Sequence, residues 1–167
     1  MKSVGKIILL LITICVASCQ KSGNDPLTNY NLNPAKLLRL INEVRVAGCK
    51  CGDANKPPVP KLQWNDQLAK AAYLHSVDMN TNRFFDHTSL DGRKTGDRVK
   101  AVGYNASTHG ENIARNYNNE DAVIRAWLAS PGHCSNIMSK DFTEVGAGHE
   151  GIYWTMVFAR PASSSGK

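Results

Sequence analysis

The chain has little that could cross a membrane: its apolar run from Ile7 to Ala17, interrupted by Thr13, falls well short of the roughly 20 residues a spanning helix needs. It also lacks any acidic residue before Asp25, while Lys2 and Lys6 precede the run. A basic start and a short apolar core describe a secretion signal instead. Neither a G-x-S-x-G elbow nor an H-E-x-x-H helix occurs, so no local signature marks an activated serine or a catalytic zinc. No internal repeat is visible, and 167 residues suit one domain with its own core. The densest basic run, Arg93, Lys94, Arg98 and Lys100, contains no aromatic residue to stack on bases and is interleaved with Asp91 and Asp97. It reads as a solvated surface, and no nucleic-acid partner is expected.

What the N-terminus does contain is Val16-Ala17-Ser18-Cys19, which resembles a bacterial lipobox. Residues 1–18 are then a signal peptide, Cys19 is the acylated first residue, and residues 19–32 form a lipid-anchored tether rich in turn formers. The expected location is the bacterial cell envelope, at the outer membrane or cell surface, with the membrane itself a partner through Cys19. Removing the signal takes away two of the twenty basic side chains and none of the fourteen acidic ones, leaving a weakly basic remainder.

Export places the chain where disulfides persist. Of its five cysteines, Cys15 falls in the signal and Cys19 at the anchor, leaving Cys49, Cys51 and Cys134. A ring closed between Cys49 and Cys51 would distort disulfide geometry, so Cys134 is expected to pair with Cys51 or with Cys49 and leave one thiol over. A rival arrangement joins Cys49, Cys51, His133 and Cys134 around zinc, although adjacent ligands are awkward to aim at one ion.

Periodicity places the domain at 33–160. Asn33 caps a first helix with Pro34 at its first position and Leu37, Ile41 and Val44 on one face; Gly48 ends it. A proline-stiffened loop leads to Asn65, which caps a second helix with the stripe Leu68, Ala72, His75 and Met79. His75 reads as a core residue with a hydrogen-bonded ring. Phe84 and Phe85 can anchor a loop while Asp86, His87 and Thr88 face a cleft, and a short third helix runs from Asp97 to Val102. A fourth helix begins after Asn119, carries Val123, Ile124, Trp127 and Leu128, and is halted by Ser130-Pro131-Gly132 just before His133 and Cys134. "FTEVGAG" and "IYWTMVFA", separated by a turn at 149–151, read as antiparallel strands, so the class is α+β. Residues 161–167 are expected to be a disordered tail.

Four stretches, "FFDHTSLDG", "GENIA", "AWLASPGHCSNIM" and "FTEVGAG", occur in an order and spacing that resemble the bacterial branch of the CAP superfamily, the SCP-like extracellular or cysteine-rich secretory, antigen 5 and pathogenesis-related proteins. The resemblance covers about Asn33 to Arg160. It implies an α-β-α sandwich, a three-stranded antiparallel sheet between helical layers, with a large open cleft. It places His87, Glu111 and His133 in that cleft as candidate ligands for Zn2+ or another divalent cation, with Ser130 standing where animal and plant members carry a second glutamate. His109 is a reserve ligand; Glu144 does not match the motif. The function implied is a non-enzymatic binding module for a lipid, peptide, glycan or protein ligand. The alternatives are a protease-like hydrolase, drawn with Ser130 or Ser89 beside the His/Glu pair, and an envelope-structure protein.

Lipidation is directly testable. Replacing Cys19→Ser should move the protein from the membrane fraction into the soluble exported fraction. An intact mass without acyl chains, with cleavage at another position, would refute the anchor.

Overall fold

The computed structural model describes residues 30–163, so the signal peptide, Cys19 and most of the tether lie outside the described residues. In chain order it contains helix α1 (Pro34–Ala47), strands β1 (Cys49–Cys51), β2 (Ala54–Lys56) and β3 (Gln63–Trp64), helices α2 (Asp66–Asn82) and α3 (Thr95–Ala101), strand β4 (Ala106–Arg115), helices α4 (Glu120–Ala129) and α5 (Pro131–Ile137), and strands β5 (Glu144–Glu150) and β6 (Tyr153–Pro161).

The sheet order is β3-β5-β6-β4. The three long strands are antiparallel, as expected, but the two-residue β3 joins the edge in parallel, Trp64 opposite Val145. The sheet is thus four-stranded rather than three-stranded. A separate β1–β2 hairpin occupies the start of the expected proline loop. β4, which contains the GEN segment, has its polar half in the sequence pattern and was not legible as a strand.

β6 explains the sandwich. It is buried from Tyr153 to Ala159, and its side chains alternate between two cores. Trp154, Met156 and Phe158 join α1, α4 and α5 on one face, with Leu37, Ile41, Trp127 and Ile137. Val157 and Ala159 join α2 and α3 on the other, with Leu68, Ala72 and Val99, while Tyr153 packs with Met79. Period-two alternation in a strand covered on both faces gives a continuous apolar run. On β5, Gly146 and Gly148 face α2, and a Cβ at either would collide with the helix backbone at Ala69 and Tyr73. The missing side chains are what let α2 lie directly on the sheet.

Both ends of the domain extend past the expected bounds. Tyr30, placed in the tether by the sequence, is buried with its ring against Trp64 and Tyr73 and its hydroxyl donating to the Asp66 carbonyl. At the other end, β6 runs through Pro161, and the Ala162 N–H donates to the Asn105 carbonyl. His75 is fully buried, as expected, and Arg83, in the left-handed region at φ 56°, caps the C-terminus of its helix.

The bridge is Cys51–Cys134, Cα–Cα 5.4 Å, which ties β1 to α5 and leaves Cys49 as a thiol. With two of the four proposed zinc ligands bonded to each other, the Cys49/Cys51/His133/Cys134 arrangement is not the one formed. Closing a loop with a sequence separation of 83 contributes on the order of 4 kcal/mol in the chain-entropy account.

Arg45 secures the same corner from inside. It is fully buried in α1, and its guanidinium donates to the carbonyls of Pro60 (2.7 Å), Ile137 (2.6 Å) and Ser139 (2.9 Å), with Phe142 at 3.5 Å. Four planar, fixed donors suit four carbonyls that belong to no ladder. Desolvation lowers its pKa to about 10, which leaves it charged at neutral pH.

Substituting Arg45→Met should destabilise the domain by on the order of 3 kcal/mol or more, because buried carbonyls lose charged donors. Arg45→Lys should fall between the two, having fewer donors to offer. Urea midpoints at unchanged slope measure this, and a methionine variant as stable as wild type would show that the carbonyls are solvated by other means.

Candidate functional site

Two local devices shape the site. The first is the junction of α4 and α5. Ser130 ends α4 by donating its N–H to the Trp127 carbonyl, and its own carbonyl accepts from Cys134 N, while Pro131 opens α5 at the position where its missing N–H costs nothing. The Ser-Pro-Gly break is therefore a corner between two helices. It puts His133 into the cleft and turns Cys134, fully buried, toward β1. The second device clamps α5 to β4: Asn136 donates to the Glu111 carbonyl (3.1 Å) and to Asn112 Oδ1 (2.8 Å), and Asn112 donates to the His133 carbonyl (3.1 Å).

The cleft these elements enclose measures about 490 Å³. Phe85, Ile113, Tyr117 and Trp127 supply its apolar wall, and Asp86, His87, Ser130 and His133 its polar groups. The Arg115 guanidinium lies 4.9 Å from the centre of the Phe85 ring at its rim.

At its floor is a buried charge network. Glu111, only 7 % exposed, has both oxygens committed: Oε1 accepts from His87 Nδ1 at 2.8 Å and Oε2 from Arg98 at 2.7 Å. Arg98 is 4 % exposed and also donates to the His87 carbonyl (3.0 Å) and the Arg93 carbonyl (2.9 Å). This corrects the reading of the basic run as uniformly solvated: Arg98 points inward and pairs with the very carboxylate the GEN motif supplies. Its alternation with exposed Arg93 and Lys94 hid it in the sequence. Behind it, His75 Nε2 donates to the Asp86 carbonyl at 3.0 Å, holding the loop from the other side.

Electrostatics follow from these contacts. Burial alone would raise the Glu111 pKa, but the His87 hydrogen bond and the Arg98 charge outweigh it and hold the carboxylate ionised, below its usual range. The same hydrogen bond to Glu111 raises His87 above 6.5, against the desolvation that lowers it. His133 is lowered, first by desolvation and then by the positive charge His87 can carry. His75 is lowered chiefly by burial and stays neutral.

The sequence-derived site residues thus divide. His87, Ser130 and His133 line one cleft, and Glu111 lies beneath it, bonded to His87. His109 is exposed beside Gly96 in a separate hollow of about 420 Å³. Glu144, at the start of β5, accepts from Asn65 and Tyr104 and is not among the cleft's lining residues. Among the described residues, Ser89 is buried between His75 (3.5 Å) and Arg98 (3.3 Å) rather than facing the cleft. Among the described residues, the three side chains of metal-ligand type whose donor atoms all fall within 4.8 Å of one another are Cys49, Cys51 and Cys134, and two of these are joined in the bridge. Arg98, Asn112 and Asn136 are the positioning residues that motif matching passed over.

The two cleft histidines should titrate apart: nuclear magnetic resonance should find His87 above 6.5 and His133 below it. Because the folded pKa of His87 is raised, the stability its protonated form adds is fully present below pH 6.5 and is lost as pH rises through the folded value. Glu111→Gln should bring His87 down. Coincident titrations near 6.5 would contradict the pairing.

Comparisons with known proteins agree with this architecture. Residues 38–157 match the CAP domain, the cysteine-rich secretory protein family. YkwD, an uncharacterized protein of Bacillus subtilis (strain 168), is 34% identical over 118 residues, 70% of this chain and 46% of that one. YlbC, an uncharacterized membrane protein of the same organism, is 33% identical over 125 residues, 75% of this chain and 34% of its own length. The crystal structure of an extracellular protein containing an SCP domain, from Bacillus anthracis str. Ames, superposes with a TM-score of 0.68 at 31% identity, covering 76% of this chain and 40% of that one. The chain therefore spans less than half the length of each of these relatives. With the family matched from the first helix to the last strand, and the α-β-α layering in agreement, this chain belongs to the CAP, or cysteine-rich secretory protein, family.

Proposed function

We propose that this protein is an exported, lipid-anchored binding module whose cleft takes a divalent cation, most suitably zinc, on His87 and His133 and uses it to hold a ligand. The observation that carries the reading is the chain Arg98–Glu111–His87, with contacts of 2.7 and 2.8 Å. A carboxylate that accepts from one imidazole nitrogen fixes the ring and its tautomer and leaves the other nitrogen, Nε2 of His87, for an ion. A fully buried salt bridge beneath an exposed histidine, its side chain 54% accessible, is an arrangement packing alone does not require.

The donor set fits a borderline ion with open positions: two neutral imidazoles from protein, the remainder from water or ligand. Glu111 acts in this reading as the group that orients His87, since its own oxygens are both engaged. With Ser130 supplying no charge, binding is micromolar or weaker. A bound cation there would supply a positive charge to coordinate an anionic or carbonyl oxygen. The apolar wall of Phe85, Ile113, Tyr117 and Trp127 suits a ligand with an apolar body, as a lipid or an apolar peptide has. The extracellular SCP-domain relative supports the exported context.

Zinc titration calorimetry on the anchored protein in detergent tests the reading, with His87→Ala/His133→Ala as the blank. Wild type should bind and the double variant should not; equal heats would show that the histidines are not ligands. Both rings must be neutral to coordinate. As pH is lowered, affinity should therefore begin to fall while still above pH 6.5, because the raised His87 protonates first, and fall further below it. Glu111→Gln should weaken binding by roughly 10–100-fold. Mass spectrometry of material co-purifying with the natively anchored protein identifies the ligand class.

A further inference from the structure

Away from the cleft's polar floor, on the other side of α5, three sulfur atoms meet. Cys49 and Cys51 flank Lys50 on β1, so their side chains project from the same face of that strand. Cys134 comes up to them from α5. Its Sγ is bonded to Cys51 and lies 3.7 Å from Cys49 Sγ, while Cys49 Sγ is 4.0 Å from Cys51 Sγ. The free thiol therefore stands in van der Waals contact with both atoms of the bridge, and Cys49 is half-buried rather than sealed.

We propose that Cys49, Cys51 and Cys134 form a thiol–disulfide exchange site, in which Cys49 takes over the bond to Cys134 and releases Cys51 as the free thiol. The Cys49 thiol gives its proton to solvent, and the thiolate attacks Cys134 Sγ. The Cys49–Cys134 bond forms as the Cys51–Cys134 bond breaks, and the electron pair leaves on Cys51 Sγ, which takes a proton from solvent. No oxidant or reductant is consumed. Cys49 Sγ lies nearly equidistant from the two bridged sulfurs, so it must move from beside the bridge into line with it before it attacks.

Two surroundings set the pace. Burial raises the Cys49 thiol pKa, and the Lys56 ammonium, on its cross-strand partner, opposes this in part. Exchange is accordingly slow at neutral pH and quickens as pH rises, since the thiolate is the nucleophile. The product also matters: moving the bond from Cys51 to Cys49 shifts the anchor of α5 by two residues along β1, roughly 7 Å of strand. Cys134 follows His133 directly, so the exchange reseats the helix that carries a cleft histidine.

The sequence makes the test clean, because trypsin cuts after Lys50 and separates the two competing cysteines. The oxidised, full mature protein is held at pH 7 and at pH 9, its free thiols are blocked with a maleimide, and the digest is mapped without reduction. Besides label on Cys49 with Cys51–Cys134 intact, the expected second form has label on Cys51 and a Cys49–Cys134 bridge. It should reach about one tenth or more of the total, meaning the bridges differ by no more than about 1.4 kcal/mol. It should form faster at pH 9, at a rate independent of protein concentration, and be missing from Cys49→Ser. A Cys51→Ser variant should bridge Cys49 to Cys134. Label confined to Cys49 after prolonged incubation at pH 9, a rate that scales with concentration, or two free thiols in oxidised Cys51→Ser would each overturn the proposal.

Discussion

A carboxylate buried in the middle of a β-strand dictates much of this molecule. Stripping an ion of water costs several kcal/mol even after relaxation, so Glu111 can remain charged only if both of its oxygens are paired with good geometry. One partner, Arg98, must then be drawn off the surface of α3, and that seats α3 against β4. The other, His87, must come down from the loop after α2, and Arg98 secures that loop a second time through the His87 carbonyl. Three separate segments, a loop, a helix and a strand, are placed by one charge.

The network also decides what kind of chemistry the cleft is suited to. A glutamate with an oxygen free could serve as base or ligand. This one is saturated, so its influence is exerted through His87, by fixing which nitrogen carries the proton and how readily the ring takes a second one. His133, reached through a helix corner and desolvated, is tuned the opposite way. Two imidazoles of opposite tendency facing one apolar-walled space form a polar floor that is already ordered before any ligand arrives.

Legibility in the sequence followed physical range. Helix starts at Asn33, Asn65 and Asn119 were readable because a cap is a local event, and each side chain does accept from backbone N–H groups of its own first turn. The hairpin of β5 and β6 was readable from its β-branched and aromatic content. β4 was not, since its first half is polar and half-exposed and gains strand geometry only from pairing with β6. β3 is two residues long and exists only as an edge beside β5. That His87 and His133 would face a common cleft, with Glu111 close by, was legible through motif resemblance. Arg98 was not, because its role depends on a contact thirteen positions away that no local period announces. The choice of Cys51 over Cys49 likewise rested on a register between β1 and α5, which only the folded chain sets.

The glycines of β5 carry a last consequence. Because Gly146 and Gly148 present no side chains, the backbone of α2 rests on the backbone of the sheet with nothing compressible between them. A helix seated that closely has little room to slide or roll, and α2 and the sheet form one plate. Any breathing of the cleft then belongs to the opposite wall, the angle between α4 and α5 at Ser130 and the loop bearing Phe85 and His87. A cleft of another size would be reached by changing that angle and that loop, while the plate behind them keeps its thickness.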